Sequence, residues 1–157
     1  MHLLPILRVD ERVDASTTHR QTSDTVAIRM NDASTSNAPP AEPALDPTAL
    51  TRLERFGGTK LLVEMIGLFQ TAAPERIAAA SAGVDSGDVA ATELALHSLK
   101  SSSAQLGALR LGRLSERGEA IARAGTLDGV AEIVNDMEHE LIRVQAWLTD
   151  VRDGAST

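Results

Sequence analysis

Cysteine is absent from the 157-residue sequence, and aromatic residues make up only 2% of it. Without thiols the chain can form no disulfide, no thiol nucleophile and no thiolate metal site. The hydrophobic residues, 43% of the chain, are therefore mostly Leu, Ile, Val, Ala and Met. This composition favours helices over a β-sandwich, because strands are enriched in aromatic and β-branched residues.

An excess of positive charge is also missing. The 22 Asp and Glu outnumber the 15 Lys and Arg, which gives a formal charge of −7. A surface that binds nucleic acid or an anionic membrane normally carries clustered Lys and Arg, so neither is an expected partner. There is no apolar run near the roughly 20 residues of a membrane span, and the start of the chain lacks the features of a signal peptide. We expect a cytoplasmic monomer.

Composition divides the chain near residue 45. Residues 10–44 are rich in Ser, Thr, Asp, Pro and Ala without an apolar period, and we predict that residues 1–44 form a disordered extension or linker. Met30, within this segment, is a plausible natural start. Residues 45–152 carry apolar residues at helical spacing and form the predicted domain, and residues 153–157 are expected to be a tail.

Capping signals mark the predicted helices. Asp46 followed by Pro47 opens a short helix, and the pair Gly57-Gly58 closes it. Asp88 is expected to cap a later helix, and Pro74 should kink or split the helix that contains it, because proline removes a backbone donor.

Four longer helices follow the short one. Their apolar residues repeat every three or four positions, and their expected ranges are about 59–82, 88–106, 108–124 and 127–152. Short links containing glycine connect them. The predicted fold is all-α: an antiparallel up-down four-helix bundle with a short N-terminal helix, preceded by a disordered N-terminal segment.

His97 points away from the predicted core. At about 100° per residue, the centre of the core stripe lies roughly 130° around the helix from it; the stripe comprises Leu96, Leu99, Ser103 and Leu106. Small side chains around His97 would let another protein approach closely, and an exposed apolar patch is typical of a contact surface. The predicted docking residues are Ala90, Leu94, Ser101, Ala104 and Gln105.

The pair His97 and Lys100 suits phosphoryl chemistry. Imidazole is largely neutral at pH 7, so a ring nitrogen is available to attack phosphorus. Lysine, one turn further on, is a compact flexible cation able to follow a phosphoryl group. The alternative for both side chains is an ordinary solvated position on a helix.

Two other motifs fail on inspection. Residues 107–114 approach a phosphate-binding loop but lack its Lys and Ser or Thr, and no strand precedes them. Residues 139–143 approach the zinc motif HExxH, but Arg143 replaces the second histidine. We therefore expect no metal site and no cofactor in this chain.

The segment HSLKSSSAQLG at residues 97–107 resembles the histidine-containing phosphotransfer (HPt) domain of two-component phosphorelays. The family pattern is His, Ser or Thr, Leu, Lys and Gly, followed by small residues and Leu-Gly. The similarity covers about residues 45–152 and includes Leu45-Asp46-Pro47, Phe56-Gly57-Gly58, Leu68-Phe69, Ala73-Pro74-Glu75-Arg76, Gly87-Asp88 and Ala122-Arg123-Ala124-Gly125.

This resemblance implies a function. His97 would be the phosphorylated residue, exposed on the second long helix, with Lys100 as the charge partner of the phosphoryl group. Glu119 falls near the position of a polar side chain that orients the imidazole. The implied partners are receiver domains of response regulators or hybrid histidine kinases, with Mg²⁺ only in the receiver. Two residues depart from the pattern: Ser101 replaces a glycine, and Gly118 an aliphatic residue, which suggests lost packing.

Three functions are therefore compared. The first is a phosphorelay intermediate, a phosphocarrier without ATP-binding or metal sites of its own, so not an enzyme. The second is an HPt-like bundle that binds a receiver or kinase without transfer, for which Ser101 is the hint. The third, the dimerisation and histidine domain of a sensor kinase, fits less well because an acidic residue typically follows that histidine and Ser98 stands here.

The assigned helical face makes a stability prediction. Leu99→Ala should lower the free energy of unfolding by roughly 2 to 5 kcal/mol, whereas His97→Ala should change it by no more than about 0.5 kcal/mol. Urea denaturation of both variants measures the difference. Equal losses would show that the face was assigned wrongly.

Overall fold

The computed structural model describes residues 43–155. The predicted disordered segment, apart from its last two residues, and the candidate start at Met30 therefore lie outside the described residues. Within residues 43–155 the secondary structure is helical: α1 is Pro47–Ser86, α2 is Val89–Leu106, α3 is Leu109–Arg123 and α4 is Val130–Ala155. No helix among them is long and apolar enough to cross a membrane.

The helices form the predicted bundle. Each packs against two others, so that α1 contacts α2 and α4, and α3 contacts the same two. The predicted core positions are buried with few exceptions. Among the apolar residues at helical spacing, Val89, Ile121 and Val151 are only half-buried. Thr92 takes an inner position, where its hydroxyl donates to the Asp88 carbonyl over 2.8 Å.

The helix boundaries follow the caps. The side chain of Asp46 accepts from the Thr48 N–H over 3.0 Å, and Asp88 accepts from the Ala91 N–H over 2.9 Å. At Gly58, φ is 73° and ψ is 176°, so the short N-terminal helix breaks there and α1 resumes at once. Only glycine adopts this conformation readily, which explains Gly58; at Gly57 a Cβ would lie 2.7 Å from Leu61 Cβ.

Two predicted ends are corrected. The last helix begins at Val130 rather than 127, because Gly129 has a left-handed φ of 80° just before it. It continues to Ala155, three residues into the predicted tail. Gly154 lowers the helix propensity of that last turn without forbidding it.

Pro74 does not split α1, since helical dihedrals continue through it. Proline lacks the N–H that would bind the carbonyl of Gln70, one turn earlier. That carbonyl instead lies 3.5 Å from the side-chain Nε2 of Gln145 on α4, and the Gln70 Nε2 makes the reciprocal contact with the Gln145 carbonyl. Arg152 donates to the Gln70 side chain over 2.9 Å. The neighbouring helix thus occupies the acceptor that proline leaves open.

Gly118 is also explained differently. A Cβ built at Gly118 would lie 2.8 Å from Leu96 Cδ1 and 3.6 Å from Ile133 Cγ2. The expectation of lost packing was therefore wrong, because Leu96 already fills the space that a side chain would take. The glycine lets α3 approach α2 closely at this level.

Two glycine substitutions on α3 separate propensity from packing. Gly112→Ala should raise the melting temperature, because its Cβ meets nothing nearer than 3.6 Å and alanine adds roughly 1 kcal/mol of helix propensity. Gly118→Ala gains the same propensity, but overpacking against Leu96 should cost about 1 to 3 kcal/mol and lower the melting temperature. Thermal unfolding followed by circular dichroism measures both. A rise in both variants would contradict the close packing of α2 and α3.

Candidate functional site

His97 lies on the outer face of α2. Its neighbours Leu96 and Leu99 are fully buried, and the helix turns its side chain outward, 56% exposed. The structure therefore has the predicted orientation. The Asp88 cap and the left-handed Gly107 fix the two ends of this helix.

Glu119 on α3 forms a hydrogen bond with His97 from the buried side of the site. Its side chain is only 2% exposed, yet it carries a carboxylate, which is costly to bury without partners. Oε1 lies 2.8 Å from His97 Nδ1, and Oε2 lies 2.5 Å from Lys100 Nζ. Arg123 Nη2 also donates to Oε1. Three donors from two helices thus surround one carboxylate.

These contacts set the charge of the site. Burial alone would raise the pKa of Glu119, but hydrogen bonds from Lys100, His97 and Arg123 outweigh it and lower the pKa to about 2. The carboxylate is therefore ionised at neutral pH and can only accept hydrogen bonds.

The ionised acceptor selects one tautomer of His97. Because Glu119 Oε1 has no proton to give, the hydrogen between it and His97 Nδ1 belongs to the imidazole. In the neutral ring, Nε2 is then unprotonated and carries the free lone pair. The arrangement presents a nucleophilic nitrogen on the exposed side of the ring.

Lys100 has a different environment from the one that its sequence position suggested. It is 30% exposed and is bound to the buried carboxylate. The distance between Nζ and Oε2 makes Glu119 its partner in this structure, and its assignment to a phosphoryl group stays a prediction.

Arg123 and Glu93 were missed by the sequence analysis as members of the site. Arg123 Nη2 reaches Glu119, and Arg123 Nε lies 3.2 Å from Glu93 Oε1 on α2. The spacing of four residues between Glu119 and Arg123 was a usable signal, because such pairs face each other on a helix. Glu93 belongs to another helix, so no local spacing pointed to it.

The five predicted docking residues are all exposed, and they line three surface clefts, one of which includes His97. Ala90 and Leu94 line a cleft with His97. Ser101 and Ala104 line a second cleft beside Lys100. Ala104 and Gln105 line a third one with Phe56, which is 89% exposed and was not among the predicted residues.

Ser101 adds little to this surface. Its hydroxyl donates to the His97 carbonyl of the same helix over 3.1 Å. Serine in a helix often bonds back to the carbonyl four residues earlier. The polar atom is thus engaged locally, and the side chain presents one extra methylene beside the histidine.

The bond to Glu119 changes one stability expectation. His97→Ala would remove one of the three donors of a buried carboxylate, and such a bond is worth about 1 kcal/mol. We therefore expect about 1 kcal/mol for this variant, still below the loss for Leu99→Ala.

The lowered pKa of Glu119 predicts an acid-dependent stability. A carboxylate whose pKa is about 2 in the folded protein, against an ordinary value of 4.5, stabilises the fold above pH 4.5. This contribution to the free energy of unfolding is lost as the pH falls from 4.5 to about 2. Urea denaturation at pH 5 and pH 2 should show that the wild type loses about 3 kcal/mol more than Glu119→Gln. Parallel losses in the two proteins would contradict the assigned ionisation.

Comparisons with known proteins agree with this fold. A family model described as the Hpt domain matches residues 64–147. The histidine-containing phosphotransfer protein B (HptB) of Pseudomonas aeruginosa PAO1 is 26% identical, with a TM-score of 0.68 over 72% of this chain and 97% of that one. The HPT domain of a sensor hybrid histidine kinase from Shewanella, 17% identical, shares the fold with a TM-score of 0.61 over 73% of this chain and 97% of that one.

A search of curated proteins found no match. The family model nevertheless covers more than half of the chain. The matched range includes all of α2, which carries His97, and all of α3. The chain belongs to the Hpt domain family, whose members are phosphotransfer proteins of two-component signalling.

Proposed function

We propose that His97 accepts a phosphoryl group from the aspartate of one receiver domain and passes it to another. The observation that carries this proposal is the bond between His97 Nδ1 and the ionised Glu119, which leaves Nε2 unprotonated and exposed. Receiver domains and kinases are the partners of Hpt domains in phosphorelays. The chain would act as a carrier and not as an enzyme.

The transfer needs few groups from this chain. The lone pair of Nε2 attacks phosphorus in line, the bond from phosphorus to the aspartate oxygen breaks, and the aspartate leaves as a carboxylate. The Nδ1 proton stays in place, so the ring of the product becomes positively charged. Glu119 stabilises that charge in the same low-dielectric position in which it oriented the ring.

The second transfer is the reverse reaction on a different receiver. An aspartate oxygen attacks phosphorus and Nε2 leaves with the electron pair, which restores the neutral imidazole. Mg²⁺ is placed in the receiver in this proposal. The face around His97, with Ala90, Leu94 and Ala104, would contact the receiver.

His97→Gln tests the acceptor. We expect a phosphorylated receiver from the same cell to label the wild-type protein with an acid-labile phosphoryl group, and the variant to remain unlabelled. His139→Gln is the matched control, because His139 is another exposed helical histidine, bonded through Nδ1 only to the Asn135 carbonyl. The readout is transfer of labelled phosphate in a gel run without acid.

Two results would count against the proposal. Label retained in His97→Gln would place the acceptor elsewhere. A wild type that binds receivers, keeps that affinity in His97→Ala and takes no label from any receiver would make the chain an interaction module without transfer.

A further inference from the structure

A cleft opens directly beside the histidine. It has a volume of about 380 Å³ and is lined by Ala90, Glu93, Leu94, His97 and Arg123. It is larger than a phosphoryl group needs, and its wall carries one cation, Arg123. The ring of His97 forms part of the same wall.

Lys100 is poorly placed to serve a phosphoryl group alone. Its Nζ is 2.5 Å from Glu119 Oε2, on a side chain that is 70% covered. Lys100 bonds Oε2, whereas His97 and Arg123 both bond Oε1. Drawing Lys100 away would therefore leave a buried charged oxygen without that partner, which is strongly destabilising. Lys100 also lines a separate cleft, with Ser101 and Gly112.

Arg123 has more freedom. Its side chain is 60% exposed, and it divides its guanidinium between Glu93 Oε1, at 3.2 Å, and Glu119 Oε1. The second of these oxygens also accepts from His97 Nδ1, so Arg123 and His97 share it. If Arg123 moved, Glu119 would keep Lys100 and His97 as donors.

We propose that Arg123 is a phosphoryl-binding residue with two positions: on Glu93 and Glu119 in the free protein, and on the phosphoryl group once His97 carries it. Glu93 is the resting partner that holds the guanidinium in the cleft. This inference rests on the proposed function, since it requires a phosphoryl group at Nε2.

Charge balance supports the movement. In the free site, Glu93 and Glu119 are matched by Lys100 and Arg123. Phosphorylation adds roughly two negative charges and one positive charge on the ring. A guanidinium binds phosphate oxygens in a planar, two-pronged geometry that an ammonium lacks, so Arg123 is the better suited of the two cations.

The test loads the protein without a receiver. Phosphoramidate, a small nitrogen–phosphorus donor, transfers its phosphoryl group to Nε2 as its P–N bond breaks and ammonia leaves. A ³¹P NMR titration then gives the midpoint of the second ionisation of the phosphoryl group. A bound guanidinium lowers that midpoint, because it favours the dianion.

The variants have opposite expected effects. Arg123→Gln should raise the midpoint by about half a pH unit, the effect of one partly exposed ion pair. Glu93→Gln should lower it, because it removes a competing acceptor and a negative charge. Arg117→Gln is the control, since Arg117 is exposed on the same helix and lines a different cleft, and should leave the midpoint within about 0.1 unit of wild type.

A second readout follows the guanidinium itself. The Nε–H resonance of Arg123 should move when the wild type is phosphorylated, and that of Arg117 should stay. An unmoved Arg123 resonance, or a wild-type midpoint in Arg123→Gln, would overturn the two-position role.

The outcomes separate this inference from the proposed function. A protein that takes phosphate from phosphoramidate but from no receiver would refute the relay and leave the Arg123 result standing. A wild type that receivers label at His97, but whose phosphoryl midpoint is the same in Arg123→Gln, would refute the Arg123 role and leave the relay standing.

Discussion

The site depends on the hydrogen bonds that the buried carboxylate of Glu119 accepts. A negative charge that is 2% exposed must be compensated, and here the compensation comes from Lys100 and His97 on α2 and from Arg123 on its own helix. The same contacts therefore join α2 to α3, determine which ring nitrogen carries the proton, and place the free nitrogen outward. The same hydrogen bonds stabilise the fold and orient the imidazole, so a substitution that removes one of them affects both.

The helices could be predicted because their signals are local. Asp46 and Asp88 bind the first turns of their own helices, and an apolar period shows which side of each helix is buried. The features that sequence could not supply depend on neighbouring helices. The continuity of α1 at Pro74 needs Gln145 from α4, and the resting place of Arg123 needs Glu93 from α2.

Glu119 shows the limit within the site. Its position as an orienting residue came from resemblance to a family, whereas its depth and its three donors are properties of the packed bundle. The periodic pattern of α3 places a charge at this position without saying whether solvent reaches it. The surface around His97 was easier to anticipate, because exposed faces follow from the core stripe of one helix. Phe56 was the exception, since the residues beside it come from a different part of the chain.

Gly118 has a consequence for how variants of this protein would be interpreted. It precedes Glu119 and packs against Leu96, which precedes His97. A side chain added there would crowd Leu96, beside the residues that form the hydrogen bond between His97 and Glu119, while touching neither of them. Under the proposed function, a slow variant at Gly118 would report crowding between α2 and α3 and not the loss of a reacting group. The packing of α2 against α3 beside His97 and Glu119 thus depends on a residue without a side chain at position 118.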